Sequence, residues 1–461
     1  MRRSIAIVQK LELNDAIPPQ NEHRLLRRQK RLKRSTTTVR SGECMLLGSL
    51  LMLIAFGSLL VGISKLTSAD SFGTTVNSVP FQETTTTKTP IRQQPTTTQF
   101  QRFTEEAPSC SDPINADDIH FTLVTQLSSD RLWMMEHHCK RWHNDMSVAV
   151  LTNKTLGDVT DELVQMGCNS TQLIVKILSA ADYMATDYPV NVLRTIALSQ
   201  VTTSHVMYVD VDFWESNNLH SVLSFEPIRQ SLANDPKLTV VIPAFQLNRQ
   251  CREWRECPEL NIPMMPHSSN DLMELIKARK GSPFDPTNRG GHGSTLYAEW
   301  IKQSVGSLLE IPCIRSNRYE PYLAFRHCRE VPPFQPAFSG YGKNKMTMIM
   351  QLRRMGYIFS QLGGAFVVHY PHLDSQSRME WNEAPQELYD TNEKGRPIKH
   401  APVDVHADWT AYKRGRVDAV FVEFREWLSK EVPDESRVPL CDDAEDDESK
   451  LWINRSIKGE S

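Results

Sequence analysis

The chain has little net charge: 52 lysines and arginines against 55 aspartates and glutamates leave −3 over 461 residues. That balance argues against nucleic acid as a partner, because phosphate backbones are held by a surplus of basic side chains. It also lacks any Cys-x-x-Cys pair with zinc spacing, which excludes a zinc-ribbon scaffold. No internal repeat is present, and solenoids and propellers are excluded with it. What remains is ordinary for a globular core, 40% hydrophobic and 8% aromatic. The length suits one large or two ordinary domains plus appendages.

The N-terminal region departs from that average. Cys44 to Ser64 reads CMLLGSLLMLIAFGSLLVGIS without a charge, at the length of about 20 residues that spans a bilayer as a helix. Arg24, Arg27, Arg28, Lys30, Arg31, Lys33, Arg34 and Arg40 precede it. The positive-inside rule therefore makes 1–43 a cytoplasmic tail, 44–64 a transmembrane helix, and the remainder lumenal or extracellular. A cleaved signal peptide is the competing reading, against which both the basic region and the apolar run are long. Residues 65–114 are rich in Thr, Ser and Pro (TTTTKTP, QQPTTTQF). They bury too little apolar surface to offset ordering entropy, and read as a stem that carries O-glycans or is a plain linker.

Beyond the membrane segment lie eight of the nine cysteines, in a compartment that permits disulfides. Cys251 and Cys257 are near enough in sequence to close a small loop; the other pairings stay open. Asn153, Asn169 and Asn454 head glycosylation sequons.

From residue 115 to 440 the pattern is that of a folded domain. Phe121–Leu127, Ser147–Leu151 and Leu173–Leu178 read as strands; Asp130–His143, Asp158–Met166 and Pro189–Val201 read as helices between them. Leu238–Phe245 and Ala365–Tyr370 read as later strands, Asn270–Arg279 and Val417–Lys430 as helices. Alternation of this kind predicts an α/β domain with a parallel sheet flanked by helices. Residues 246–317 are loop-rich, a place for acceptor binding. Residues 441–461 form an acidic tail.

One short segment carries the chemistry. The apolar run Val206–Val209 ends in Asp210-Val211-Asp212. Side chains two apart on a strand share a face, so both carboxylates leave the strand end together, able to hold one divalent cation and, through it, a diphosphate. Ligands in open α/β sheets bind at the carboxyl ends of strands. Taken alone, an Asp-x-Asp triplet is more often a solvated turn or a cap.

The surrounding blocks resemble a known family. Residues 121–151, Tyr188–Arg194 (YPVNVLR), Tyr208–Phe213 (YVDVDF), Val241–Phe245 (VIPAF), Gly291–Gly293 (GHG), Tyr319–Tyr322 (YEPY), Gly340–Lys345 (GYGKNK) and Phe366–His372 (FVVHYPH) follow the order of glycosyltransferase family 49. That family includes the LARGE-type enzymes and the single-domain β-1,4-glucuronyltransferase, whose layout this chain is similar to. The resemblance implies a GT-A fold, with a Rossmann-like mixed sheet. It implies a Golgi type II membrane enzyme that transfers a sugar with inversion from a UDP-sugar donor to a glycan or glycoprotein acceptor, using Mn²⁺. Glucuronate from UDP-glucuronate is the implied sugar; in the family it is β-linked on a xylose-containing glycan, as on α-dystroglycan. A homodimer is compatible with it.

Carried over by position, Asp210 and Asp212 are metal ligands and His369 is the third. Two carboxylates and an imidazole suit Mn²⁺. The plain alternative for His369 is a strand-end histidine bonded to backbone; His372 is the alternative ligand, and Pro371 between them turns the chain so that one reaches the metal. Arg194, Asn191, Asp210, Lys343 and Lys345 are the donor-binding set. Against this, Arg194 reads equally as a surface arginine, Asn191 as a helix cap, and Lys343 and Lys345 as a basic turn. Where the family carries an acidic residue before Gly-x-Gly, this chain has Gln335, which cannot act as a base, and a short insertion lies around Cys328 to Val331. Glu320 is then the candidate catalytic base. A membrane-anchored carbohydrate-binding or scaffold protein with a degenerate transferase fold is the alternative class. UDP-xylose and UDP-N-acetylglucosamine are alternative donors.

Overall fold

The computed structural model describes residues 100, 101, 107–183, 187–374, 378, 379 and 405–444, with side chains of the last stretch from residue 413. The basic tail, the 44–64 segment, most of the stem and 445–461 lie outside the described residues. Among the described residues no helix is long and apolar enough to cross a membrane.

Strands β1 (Phe121–Ser128), β2 (Met146–Thr152), β3 (Leu173–Ser179) and β4 (His205–Tyr208) form where the apolar runs predict them, and all four are parallel. β1 and β4 lie inside the sheet, and their side chains are buried on both faces, which is why they read as unbroken apolar runs. β3 is an edge; it is less buried than the inner strands and exposes Lys176, a charge that discourages edge-to-edge pairing. Between β2 and β3 the Leu156–Gln165 helix opens with a reciprocal capping box, Thr155 Oγ1 accepting from Asp158 N–H at 3.2 Å.

The remaining strands are β5 (Phe213–Glu215), β6 (Leu238–Ile242), β7 (Ala244–Leu247), β8 (Gly281–Pro283), β9 (Leu308–Glu310), β10 (Tyr322–Arg326), β11 (Ile358–Leu362) and β12 (Val367–His369). The main sheet has eight strands in the order β3-β2-β1-β4-β10-β6-β11-β9. It is mixed, not wholly parallel: β10 runs antiparallel between β4 and β6, and β9 antiparallel beside β11. The alternation of strands and helices could not show this, because an antiparallel insertion reaches its place through the long loop-rich stretch before it.

Leu238–Phe245 is two strands, not one. Pro243 has no N–H for a ladder, and the chain there leaves the main sheet as β6 and enters a second one as β7. That sheet has four strands, β5-β12-β7-β8. β12 pairs parallel with β7 and antiparallel with β5, placing His369 opposite Phe213. The second sheet therefore delivers a late strand to the residues just after the acidic triplet.

Four disulfides tie the body: Cys110–Cys328, Cys139–Cys168, Cys251–Cys257 and Cys313–Cys441. The second of the small-loop cysteines is where the spacing put it. Cys110–Cys328 joins the start of the body to the segment just after β10. Contacts of the body reach residues before 115: the Phe100 ring lies 5.4 Å from Phe424, and Gln101 N–H donates to Gln335 at 3.0 Å. Asn153 and Asn169 are exposed.

His205 at the start of β4 is fully buried, and burial, with Arg326 and His327 nearby, lowers its pKa to about 3. Below the unfolded value of about 6.5, the unfolded chain takes up a proton that the folded chain refuses, so stability falls as pH drops from about 6.5 to about 3. This one group supplies a slope of about 1.4 kcal/mol per pH unit in that window. Denaturant titrations between those limits are expected to be shallower by that amount in a His205→Gln variant.

Candidate functional site

The two aspartates leave β4 as expected and then part company. Asp210 Oδ1 accepts from Arg194 at 2.9 Å and from the Tyr208 hydroxyl. Its Oδ2 accepts from Lys345 Nζ at 2.8 Å and from the Tyr322 hydroxyl at 3.0 Å. Burial alone would raise its pKa, but the Lys345 and Arg194 cations hold it well below the carboxylate range. Both oxygens are thus occupied by protein donors.

Asp212 faces a different set. Its Oδ2 lies 3.0 Å from Arg131, 3.2 Å from His372 Nε2 and 3.8 Å from His369 Nε2. The potential ligand atoms of Asp212, His369 and His372 all fall within 4.8 Å of one another. The backbone makes this meeting: Tyr370 N–H donates to Asp212 O at 2.8 Å, continuing the β12–β5 pairing. Against the burial penalty, Arg131 and the two histidines keep Asp212 well below the usual range, while burial lowers the pKa of His369. The cluster therefore offers an ionised carboxylate and, at His369, a neutral imidazole. Such an oxygen–nitrogen donor set fits a first-row divalent cation such as Mn²⁺, with positions left for phosphate oxygens.

Aromatic rings and a glycine-rich turn line the approach. The Phe213 ring lies 4.4 Å from Tyr322 and 4.7 Å from Phe284; Phe284 in turn is 5.4 Å from His369 and 5.0 Å from His292. His292 is buried, and burial and then Lys345 lower its pKa to about 3. Glu320 N–H donates to Gly291 O at 2.9 Å. A Cβ on Gly291 would stand 3.8 Å from Glu320 Oε1 and only 3.0 Å from Asn288, so a side chain there would crowd the turn beside the carboxylate. Glu320 is half-buried, its carboxylate has no hydrogen-bond partner among the described residues, and burial raises its pKa, with Asp210 adding to the rise and Lys345 opposing it.

The structure brings together Arg194, Asp210, Lys345 and Glu320, and separately Asp212, His369 and His372. Three expectations change. Asp210 is not in the cluster of potential ligands, because two cations and two phenols fill its oxygens. Both histidines reach Asp212; Pro371 turns the chain without taking either away. Lys343 points elsewhere: it pairs with Asp418 at 3.2 Å and lies 4.8 Å over the Phe421 ring, fastening the Val405–Glu431 helix. Its own φ of 57°, beside Gly340 at 67° and Gly342 at 99°, marks the left-handed turn that sends neighbouring residues in opposite directions.

Asn191 and Arg194 are neither cap nor surface residues. The Val190–Leu198 helix buries both, and Pro189 occupies the cap position. Asn191 Nδ2 donates to Gln335 O at 2.9 Å and Asn344 O at 3.1 Å, and its Oδ1 accepts from Arg194 at 2.9 Å. Asn191 therefore orients Arg194, and Arg194 orients Asp210. Gln335 is fully buried, bonded to Gln351 at 2.7 Å and to the Gln101 backbone, so the residue at this position serves packing in this chain. Arg131, Tyr208 and Tyr322 escaped the sequence reading. Arg131 lies just past the carboxyl end of β1, where strand-end position alone would have nominated it; the two tyrosines carried no signal beyond their place in apolar runs.

Comparison with known proteins follows this geometry. The sequence model of a family described as "Glycosyl-transferase for dystroglycan" matches residues 161–394. Glycosyltransferase-like protein gnt14 of Dictyostelium discoideum is 28% identical over 286 residues, covering 60% of this chain and 42% of that protein. Human xylosyl- and glucuronyltransferase LARGE2 is 30% identical over 273 residues, covering 57% of this chain and 34% of its own. Mouse LARGE1 is 28% identical over 268 residues, covering 57% and 32%. The chain thus spans well under half the length of these relatives. Among solved structures, GalNAc-T7 with UDP, GalNAc and Mn²⁺ aligns with 68% of this chain and 56% of its own at 11% identity and a TM-score of 0.34. Staphylococcus aureus TarS 1–349 with UDP-GlcNAc aligns with 73% and 79% at 12% identity and a TM-score of 0.31. Likenesses at these scores carry no weight for function.

Removing the Asn191 amide would take one acceptor from the buried Arg194 guanidinium, while the Gln335 and Asn344 carbonyls keep Phe338 N–H and Thr347 Oγ1 as donors. Asn191→Ala is expected to cost about 2 kcal/mol in chemical denaturation, within the range of about 1–3 kcal/mol for one buried group left unsatisfied.

Proposed function

The chain belongs to the family of glycosyltransferases for dystroglycan, and from that membership we propose that it is a Mn²⁺-dependent, inverting glycosyltransferase of GT-A type that uses a UDP-sugar. The observation that carries the reading is the convergence of Asp212, His369 and His372, the outer two 160 residues apart, on one point at the carboxyl end of β4. A scaffold protein with a degenerate fold has no need of such a donor set.

Asp212, His369 and His372 would hold the cation, which when bound neutralises the diphosphate of the donor as it becomes the leaving group. The protein's own groups do the rest. Arg131, next to Asp212, supplies a fork of N–H donors suited to phosphate oxygens. Lys345 retains exposure at the cleft and places a second cation nearby. Arg194 and Lys345 both bond Asp210, but Lys345 keeps 12% exposure against 3% for Arg194, so a uronate carboxylate on the donor falls to Lys345. Glu320 acts as the base: its unpartnered carboxylate accepts the proton of the acceptor hydroxyl as that oxygen bonds to the anomeric carbon and the bond to UDP breaks, with inversion. The raised pKa suits this task, since it moves a carboxyl toward the working pH.

The relatives' names give both xylosyl- and glucuronyltransferase, and of the two sugars the Arg131 and Lys345 cations favour glucuronate; a glycan on a glycoprotein is the acceptor. The basic tail and apolar 44–64 segment support anchoring as a type II protein with this domain in the Golgi lumen, and four disulfides suit that compartment.

Calorimetry of UDP binding with and without Mn²⁺ tests the reading. The cation is expected to tighten UDP binding, and Asp212→Asn to weaken the cation-dependent part about a hundredfold, or ~2.7 kcal/mol. Glu320→Gln is expected to keep UDP affinity while transfer falls by about 10²–10⁴. UDP release from a panel of UDP-sugars identifies the donor. UDP affinity indifferent to Mn²⁺ in the unmodified chain rejects the proposal.

A further inference from the structure

The backbone of the acidic triplet is held at each of its carbonyls, and one of the three is held by a side chain. Asp210 O accepts from Phe213 N–H at 2.9 Å, closing a turn, and Asp212 O accepts from Tyr370 N–H at 2.8 Å, extending the sheet. Val211 O, between the two acids, accepts instead from His138 Nε2 at 3.0 Å. The other nitrogen of that ring lies 2.8 Å from Glu215 Oε2, and both residues are buried, at 0% and 2% exposure.

His138 belongs to the Met135–Arg141 helix, which lies along residues 211–215 like a splint. On the same helix His137 stacks on Trp214 at 3.9 Å, and Arg141 donates to the Glu215 carbonyl. Cys139, next to His138, is bonded to Cys168, which ties the helix to the end of the Leu156–Gln165 helix. The imidazole has an acceptor at each nitrogen, a carbonyl and a carboxylate, so the ring donates at both only as the imidazolium. Burial opposes that charge, and Glu215 outweighs it and raises the pKa. The second oxygen of Glu215 has no hydrogen-bond partner, so His138 makes the side-chain hydrogen bond to this carboxylate, with the Arg141 cation acting on it through space.

A buried ion pair of this sort is a poor source of stability, because well-packed apolar residues of similar volume do as well or better. Its geometric effect is specific: it fixes one carbonyl, and with it the directions in which the carboxylates on either side depart. We infer that His138 is a positioning residue that, charged against Glu215, clamps the Val211 carbonyl so that Asp212 stands within reach of His369 and His372. The inference rests on the metal-dependent reading above, and it assigns to His138 no contact with donor, acceptor or cation.

The test uses the full chain with His138→Leu and Glu215→Met together, which removes both charges while keeping volume, and His138→Gln with Glu215→Gln, which keeps polarity. The readouts are the Mn²⁺ concentration that half-saturates UDP binding, the paramagnetic resonance spectrum of bound Mn²⁺, and Tm. A Leu163→Ala variant, which opens the core on the Leu156–Gln165 helix without touching the His138–Glu215 pair, is the control for lost stability. Both double variants are expected to need about tenfold more Mn²⁺ or beyond, the lower end of what outer residues cost a metal site, with a broadened resonance spectrum. Leu163→Ala is expected to lose Tm with its Mn²⁺ requirement unchanged. An unaltered requirement in the double variants, or a shift that Leu163→Ala reproduces, overturns the inference and leaves the functional reading standing. Absence of Mn²⁺-dependent UDP binding in the unmodified chain removes both.

Discussion

The candidate site depends on one backbone pairing, that of β12 with β5. β5 begins immediately after Asp212, so whatever lies beside it is brought to the acidic triplet. β12 carries His369 at its end and His372 three residues on, and the Tyr370–Asp212 hydrogen bond at 2.8 Å sets the distance at which they arrive. Strand pairing is suited to this task because its register is a matter of whole residues: a slip of one would turn His369 to the opposite face. The burial of Val367 and Val368 in the small sheet, and of Phe213 and Trp214 on the partner strand, stabilises the register that is observed.

A second constraint is electrostatic. Two carboxylates two residues apart would raise each other's pKa if left alone. Here the environment separates them. Asp210 is surrounded by Arg194, Lys345 and two phenols, and becomes a fixed anion that organises cations. Asp212 has one guanidinium and two imidazoles about it, and keeps the capacity to exchange a protein partner for a cation. The same sequence motif therefore supplies two different parts, one structural and one open to ligand. The division follows from the helix at Val190–Leu198 and the turn at Gly340–Lys345, both of which converge on Asp210.

Much of this was legible in the sequence. The four parallel strands were apparent because strands covered on both faces must be apolar throughout. The triplet stood out because it ends one of them. Glu320, Lys345 and His369 were named as candidates from the family blocks that contain them, and the short spacing of Cys251 and Cys257 marked their disulfide. The alternative readings, Asn191 as a cap and Arg194 as a surface residue, failed for a physical reason: a polar residue on an amphipathic helix resembles a surface residue until a loop is known to cover it. Lys343 and Lys345 differ by two positions, and nothing in a polar, glycine-rich turn indicates which of them faces inward.

What the amino-acid sequence determined by itself was local: periodicity, the place where each strand ends, and the side chains available there. Those follow from backbone geometry and from the pattern of apolar burial, which act over a few residues. The tertiary structure alone decided that Asp210 would be enclosed by cations, that His372 would join His369, that β10 would run against its neighbours, and that Gln335 would be sealed in the core. Each of these is a contact between segments far apart in the chain, brought about by sheet crossovers and by packing of the whole body, and no short-range pattern encodes it.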